Sequence, residues 1–230
     1  NIEQTNAEYK LGLAPDVMAS LVHDLGDRNG AHLLLSRDQG KTFQTIPGPR
    51  VPRAAFDEHM MIERKDGSWQ VYVRTQYGIG SSISTDRGRT WSEGTDTGIR
   101  HTNARFFIRR LRSGNLLLVR HNWPESLSAN QSRRTYLTAQ LSADDGATWK
   151  GGMGGGLLLD DRQSVSYPDG FQAPDGSITI VYDRERTKAM EILFARFTEA
   201  DIEAGKCVSK SCALRNPINA AGANNDAGAI

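Results

Sequence analysis

Histidine and arginine side chains are the first candidates for chemistry in this sequence. His59 stands apart, whereas His101, Arg105 and His121 fall within the single stretch 101–121. Histidine titrates near neutral pH and can move protons, and a neighbouring arginine can hold an anion. A lone histidine is more often a satisfied structural residue, so packing is the alternative role. We predict substrate-binding roles for His59, Arg105 and His121.

The charge balance limits what the chain can bind. It has 28 basic and 27 acidic residues and a net charge of +1, so no broad basic surface for nucleic acid is expected. Attraction for an anionic ligand must therefore come from a few placed arginines. No nucleotide-binding glycine motif or metal-ligand cluster stands out, and we predict no cofactor and no metal. No run of about 18 apolar residues predicts a membrane span.

One octapeptide pattern, Ser-x-Asp-x-Gly-x-Thr-aromatic, occurs three times along the chain. Its copies are SRDQGKTF (36–43), STDRGRTW (84–91) and SADDGATW (142–149). Each copy follows a short apolar or alternating run, which predicts a strand, a tight turn and a second strand. Asp can accept bonds from nearby backbone amides, Gly accepts positive φ, and the closing aromatic can cover the turn. We expect these octapeptides to be structural, with no part in catalysis.

Hairpin signals of a second kind alternate with the octapeptides. Asp66-Gly67, Ser113-Gly114 and Asp175-Gly176 each stand between two runs typical of strands. Successive octapeptides start 48 and then 58 residues apart. This spacing suits four-stranded propeller blades, for which repeats of roughly 40–50 residues are usual.

The sequence therefore predicts an all-β fold, a β-propeller of four-stranded antiparallel blades. The propeller domain is expected over residues 1–216, followed by a small, polar tail at 217–230. One helix is predicted at 198–205, where Thr198 and Asp201 have the spacing of a capping box. An all-β sandwich with similar turns is the alternative architecture.

The octapeptides are similar to the Asp-box, or BNR, repeat of the sialidase (neuraminidase) superfamily. Three longer segments strengthen the resemblance, which runs from about 31 to 202. FDEHMMIERKDGSWQVYVR resembles the segment in which a Glu opens one strand and an Arg closes the next. RRTYLTAQLSADDGATW resembles the segment in which an Arg leads into an Asp box. SYPDGFQAPDGSITIVYDRERTKAMEILFARFT resembles the segment with a leading Tyr and a later Tyr-acidic pair, here Tyr182-Asp183.

The resemblance implies roles for four residues: Glu58, Arg74, Arg134 and Tyr167. Sialic acid carries a carboxylate on its anomeric carbon, and a neutral tyrosine avoids the repulsion that a carboxylate nucleophile would meet there. Tyr167 is implied as the nucleophile and Glu58 as its base. Arg74 and Arg134 are implied to bind the substrate carboxylate. The implied activity is that of a retaining exo-α-sialidase. A solvated strand-end charge or a packed aromatic is the alternative for each residue.

Two features of the family are not matched. No Arg-Ile-Pro motif for a first arginine occurs, and the early residues Asp16 and Asp24 match no family motif for a general acid/base. The chain accordingly looks like the C-terminal part of a sialidase-like protein, an incomplete six-bladed ring.

Two other functions are compatible with the same residues and fold. A polysaccharide lyase acting on uronic-acid glycans could use Tyr167, His59, His121 and Arg105, and a non-catalytic glycan-binding propeller is a further alternative. An acidic glycan is the expected partner of a sialidase or a lyase, and it implies an extracellular or periplasmic location.

Cys207 and Cys212 either form a disulfide or are two free thiols. The oligomeric state is left undefined.

Overall fold

The computed structural model describes residues 18–23, 30–55, 58–124, 126, 134–151 and 155–219. These residues form short strands and one helix: β1 (Met18–His23), β2 (Gly30–Ser36), β3 (Gln44–Arg50), β4 (Met60–Glu63), β5 (Trp69–Arg74), β6 (Ile79–Ser84), β7 (Thr95–Asp96), β8 (Phe107–Arg110), β9 (Leu116–His121), β10 (Leu137–Ser142), β11 (Leu157–Asp160), β12 (Val165–Gln172), β13 (Ile178–Arg184), β14 (Glu191–Phe197), α1 (Glu199–Ala204) and β15 (Ala213–Asn219).

The strands form four sheets in which each strand pairs with the next one in the chain. The first sheet contains β1 to β3, and the others contain β4 to β7, β8 to β11 and β12 to β15. The predicted all-β class with four-stranded antiparallel sheets is confirmed. No helix among the described residues is long and apolar enough to cross a membrane.

Two compact units make up the described chain. The first extends to Leu118 and includes Leu141–Trp149, and the second comprises Val119–Gln140 and the residues from Lys150 onward. In the first unit, every residue of β5 is buried, as expected of an inner strand covered on both faces. Its main core cluster consists of Ile62, Tyr72, Ile79, Phe106, Ile108, Leu116 and Leu118. Full burial of such side chains stabilises the fold by roughly 1.5–3 kcal/mol each.

The second unit shows the alternation of a strand with one buried face. In β13 the buried side chains are Ile178, Ile180 and Tyr182, and β14 pairs Phe197, Ala195 and Leu193 with them in register. The intervening residues of β13 are less buried. This period of two follows from the strand geometry, which turns successive side chains to opposite faces.

The three octapeptides adopt one hydrogen-bonded turn. In the first, the Asp38 carboxylate accepts the Thr42 N–H at 2.9 Å and the Thr42 hydroxyl at 2.6 Å, while Ser36 Oγ accepts the Gly40 N–H at 2.8 Å. The same bonds recur around Asp86 and Asp144. Hydrogen bonds from the threonine lower the pKa of Asp86 to about 2. These carboxylates are therefore committed to the turns.

The closing aromatic residues behave differently from one another. Trp91 and Trp149 pack against buried core clusters of the first unit. Phe43 is 51% exposed, so the first octapeptide lacks this cover among the residues described.

Each predicted hairpin is present. Gly67, Gly114 and Gly176 have φ between 81° and 89°, and they lie in the turns β4–β5, β8–β9 and β12–β13. These angles are the ones that the dipeptide signals anticipated, because only glycine adopts them without strain.

The fourth sheet replaces the octapeptide turn by a helix. Helix α1 lies between β14 and β15, where the second and third sheets have their octapeptides. Its capping box is confirmed, because Thr198 accepts from the Asp201 N–H and the Asp201 side chain accepts from the Thr198 N–H. Cys207 and Cys212 form a disulfide just after it. Strand β15 continues to Asn219, across the predicted boundary at 216, and the division into a propeller domain and a tail stays a prediction. Residues 220–230 of the predicted tail lie outside the described residues.

Candidate functional site

Tyr167 is displaced from the regular course of its strand. Strand β12 pairs Ser166 with Asp183 and Asp169 with Val181, so one extra residue is inserted between these pairs. Tyr167 itself has φ of 53°, in the left-handed region. A bulge of this kind redirects a side chain, and bulges are frequent beside active sites. The strand thus presents Tyr167 in an orientation that regular pairing would not give.

Two guanidinium groups lie over the ring of Tyr167. The guanidinium carbon of Arg186 is 3.8 Å from the ring centroid, and that of Arg134 is 5.8 Å from it. Arg134 also donates from Nη1 to Ser166 Oγ at 3.0 Å. The structure therefore brings together Arg134 and Tyr167, two of the residues predicted from the sequence, and adds Arg186, which was not predicted.

A cleft of about 240 Å³ adjoins this group in the second unit. Its lining includes three cations and three hydroxyls, contributed by Arg134, Arg186, Lys188, Ser164, Ser166 and Thr187. Such a surface can hold an anionic group and accept or donate hydrogen bonds to sugar hydroxyls.

Left-handed backbone is concentrated around the cleft. Arg134, Ser164 and Glu185 line it with φ of 47°, 63° and 48°, and Tyr167 adjoins it. Each non-glycine residue in this region costs on the order of 1 kcal/mol or more, and such strain gathers at functional sites. This observation supports a functional role for the cleft.

The two carboxylates of the cleft are engaged by arginines. Asp183 Oδ2 accepts from Arg186 Nε at 2.5 Å, and Glu185 Oε1 lies 3.5 Å from Arg184 Nη2. Burial raises the pKa of Asp183, although Arg186 acts in the opposite direction. For Arg186, burial is the largest influence and lowers the pKa, but the interactions with Asp183 and Tyr167 together outweigh it and raise the pKa. Asp183 thus fixes Arg186 over the tyrosine ring.

Glu58 and Arg74 form an ion pair in the first unit. Arg74 Nη1 donates a hydrogen bond to Glu58 Oε2. The Arg74 side chain is only 4% exposed and the Glu58 side chain 16%. Arg74 also donates from Nε to Asn103 Oδ1 at 2.7 Å and from Nη2 to the Asn103 carbonyl at 2.8 Å. Asn103, absent from the sequence prediction, therefore sets the plane of the Arg74 guanidinium. The role of Glu58 as base of Tyr167 stays a prediction.

His121 is placed differently from its prediction. Its side chain is 0% exposed, and its Nδ1 lies 3.0 Å from the Thr135 carbonyl oxygen. Burial lowers the pKa of His121 to about 4, against the effect of the bond to Thr135. A ring without exposed surface cannot touch a glycan, so we reassign His121 from substrate binding to the packing of this sheet.

Burial of a neutral histidine predicts a loss of stability in acid. The unfolded chain binds a proton at His121 below about pH 6.5, whereas the folded chain excludes it until about pH 4. The free energy of unfolding should therefore decrease as the pH is lowered through this window, by roughly 3 kcal/mol at most. Urea denaturation between about pH 7 and pH 5 measures this slope largely above the range in which unfolded Asp titrates. His121→Gln should flatten it, and an unchanged slope in this variant would contradict the assignment.

The other predicted binding residues lie in the first unit. His59 directly follows Glu58 and is partly buried, and Arg105 is partly buried in the segment that holds Asn103. In the same segment His101 is 5% exposed, and its Nε2 lies 2.9 Å from the Ala104 carbonyl oxygen. This segment packs His101 edge-on against Phe106. Across the described ranges, no group of three or more His, Cys, Asp or Glu side chains is arranged to hold a metal ion.

A family model described as a BNR repeat-like domain matches residues 8–180. The octapeptide turns and the sheets of β4 to β11 fall within this range. The chain therefore belongs to the family of BNR repeat-like domains. A comparison with curated proteins finds no match.

Solved structures with the same fold include enzymes that act on glycans. The intramolecular trans-sialidase of Ruminococcus gnavus, solved with oseltamivir carboxylate, has a TM-score of 0.61 and 19% identity over 82% of this chain and 42% of its own. The NanB sialidase of Streptococcus pneumoniae has a TM-score of 0.62 and 18% identity over 81% and 29%. An exo-β-1,3-galactanase of Phanerochaete chrysosporium has a TM-score of 0.59 and 7% identity over 88% and 48%. The fold is thus sialidase-like, and the chain spans less than half of each of these structures.

Proposed function

We propose that this protein is a glycoside hydrolase that releases terminal sialic acid, or a related acidic sugar, with retention of configuration. The arrangement of Tyr167 beside Arg134 and Arg186 at a polar cleft carries the proposal. It combines a neutral nucleophile with permanent cations, which a sugar with a carboxylate on its anomeric carbon requires. The similarity in fold to two structures titled as a sialidase and a trans-sialidase adds support.

In the proposed reaction the Tyr167 oxygen attacks the anomeric carbon and the glycosidic bond breaks. The phenol proton passes to a base, the role that the sequence motif gives to Glu58, and the leaving oxygen takes a proton from an acid that we do not assign. Water then hydrolyses the glycosyl-tyrosine intermediate, and the two inversions together retain the configuration. Arg134 binds the carboxylate throughout.

The test is turnover of a fluorogenic sialoside by the whole protein that contains this chain. We expect release of the fluorophore, with the α-anomer of sialic acid formed first in a proton NMR spectrum. A fluorogenic neutral galactoside should be inert. Release of the fluorophore from the galactoside and not from the sialoside would refute the acidic-sugar assignment. An unsaturated, ultraviolet-absorbing product from a uronic-acid glycan would instead identify a lyase, although buried His121 weakens that alternative.

We also propose that the protein works outside the cytoplasm, in an extracellular or periplasmic location. The Cys207–Cys212 disulfide supports this location, because disulfides persist mainly in oxidising compartments. Terminal acidic sugars on glycans are met in the same compartments.

A further inference from the structure

Arg186 lies in the connection between β13 and β14, and no role was assigned to it from the sequence. Its Nε donates to Asp183 Oδ2 at 2.5 Å, three residues earlier in the chain. Its guanidinium carbon lies 3.8 Å from the centroid of the Tyr167 ring. Because one edge is held by a carboxylate and one face by an aromatic ring, the orientation of this cation is set by the fold.

Arg186 has more donors than its bond to Asp183 uses. A guanidinium has five N–H donors, and the bond to Asp183 uses the one on Nε. The edge formed by the two Nη groups can grip a carboxylate with two parallel bonds. Arg186 lines the same cleft as Arg134, and both guanidinium groups lie over the Tyr167 ring.

The charge and size of the cleft point to one acidic sugar unit. Three cations and two carboxylates line the cleft, and both carboxylates already lie against arginines. The excess is therefore positive, which favours an anion. Pockets for drug-sized ligands measure about 300–1,000 Å³, so a cleft of about 240 Å³ suits a single monosaccharide.

We propose that Arg186 is the specificity-determining residue that makes this cleft prefer an acidic sugar to its neutral counterpart. It binds the sugar carboxylate together with Arg134, and Asp183 positions it. This role rests on the proposed function for the identity of the sugar, and it adds a residue that the family resemblance did not supply.

Binding of N-acetylneuraminic acid and of its methyl ester tests this role without any turnover. Calorimetry on the whole protein should show the acid binding at least about tenfold tighter than the ester, because the acid alone makes charge-assisted bonds. Arg186→Met should reduce this preference severalfold, because the acid is then bound through Arg134 alone and binding of the ester is unchanged. Arg186→Lys should retain more of the preference, since the charge stays but the fork is lost.

Arg196→Met is the matched control. Arg196 lies on β14 of the same sheet and is paired with Asp175 at 3.2 Å, but it does not line the cleft. This variant should keep the full preference. Equal preference in Arg186→Met and the unaltered protein, or binding of neither compound by the unaltered protein, would overturn the proposal. A preference that falls in Arg186→Met while sialosides are not hydrolysed would uphold Arg186 and refute the proposed function.

Discussion

Replacement of Tyr167 by Phe is expected to reduce kcat on a sialoside by a factor on the order of a thousand or more. The variant lacks the only atom that can form the covalent bond to the sugar in the proposed reaction, so the loss should appear in kcat. The ring is retained, and with it the contact of the Arg186 guanidinium at 3.8 Å. The fold and the binding of N-acetylneuraminic acid should therefore be preserved. Single-turnover assays and calorimetry on the same preparation separate the two effects.

Tyr136→Phe is the control for this substitution. Tyr136 lies in the same unit, is partly buried and has a left-handed φ of 53°, like Tyr167, but the proposed reaction gives it no role. The Tyr136→Phe variant should retain full activity.

A fluorinated sialic acid that forms a slowly hydrolysed adduct should label the peptide containing Tyr167, as read by mass spectrometry. Activity within about tenfold of the unaltered protein, or an adduct on another residue of Tyr167→Phe, would reject the nucleophile.

The features that the sequence predicted well are local ones. In the octapeptide at 36–43, every bond that shapes the turn joins residues at most four positions apart, for example Thr42 to Asp38. The capping box joins Thr198 to Asp201, three residues away. Residue types in a short window therefore suffice to define these structures, and three repeats of the window indicated the blades.

The features that the sequence did not predict depend on contacts between distant segments. The burial of His121 depends on β9 and on Thr135, fourteen residues later. The contact of Arg186 with Tyr167 requires a bulge in β12; Pro168 within the strand is compatible with a bulge but does not fix the direction of the Tyr167 side chain. The pairing of Asp183 with Arg186, by contrast, spans three residues, and the sequence DRER contained that signal. Side-chain direction in irregular backbone thus limits the prediction of this site.

The ion pair between Glu58 and Arg74 predicts two separable effects of substitution. Arg74→Met should lower the free energy of unfolding by about 3–5 kcal/mol, because it strands a partly buried carboxylate and breaks the bonds to Asn103. Glu58→Gln should cost less, about 1–3 kcal/mol, since an amide still accepts from Arg74. The double variant should be more stable than the sum of both losses implies, with a coupling of about 0.5–3 kcal/mol in urea denaturation.

The same variants decide whether Glu58 does more than hold Arg74. If Glu58 accepts the phenol proton, Glu58→Gln lowers kcat by about a hundredfold or more at a temperature where it is fully folded. Glu63→Gln is the matched control in the same unit, at the end of β4. Burial raises the pKa of Glu63, so its charged form is disfavoured in the fold, and the neutral amide should leave stability equal or higher and activity unchanged. A Glu58→Gln protein with unimpaired kcat would confine Glu58 to the ion pair, and another base would then have to serve Tyr167.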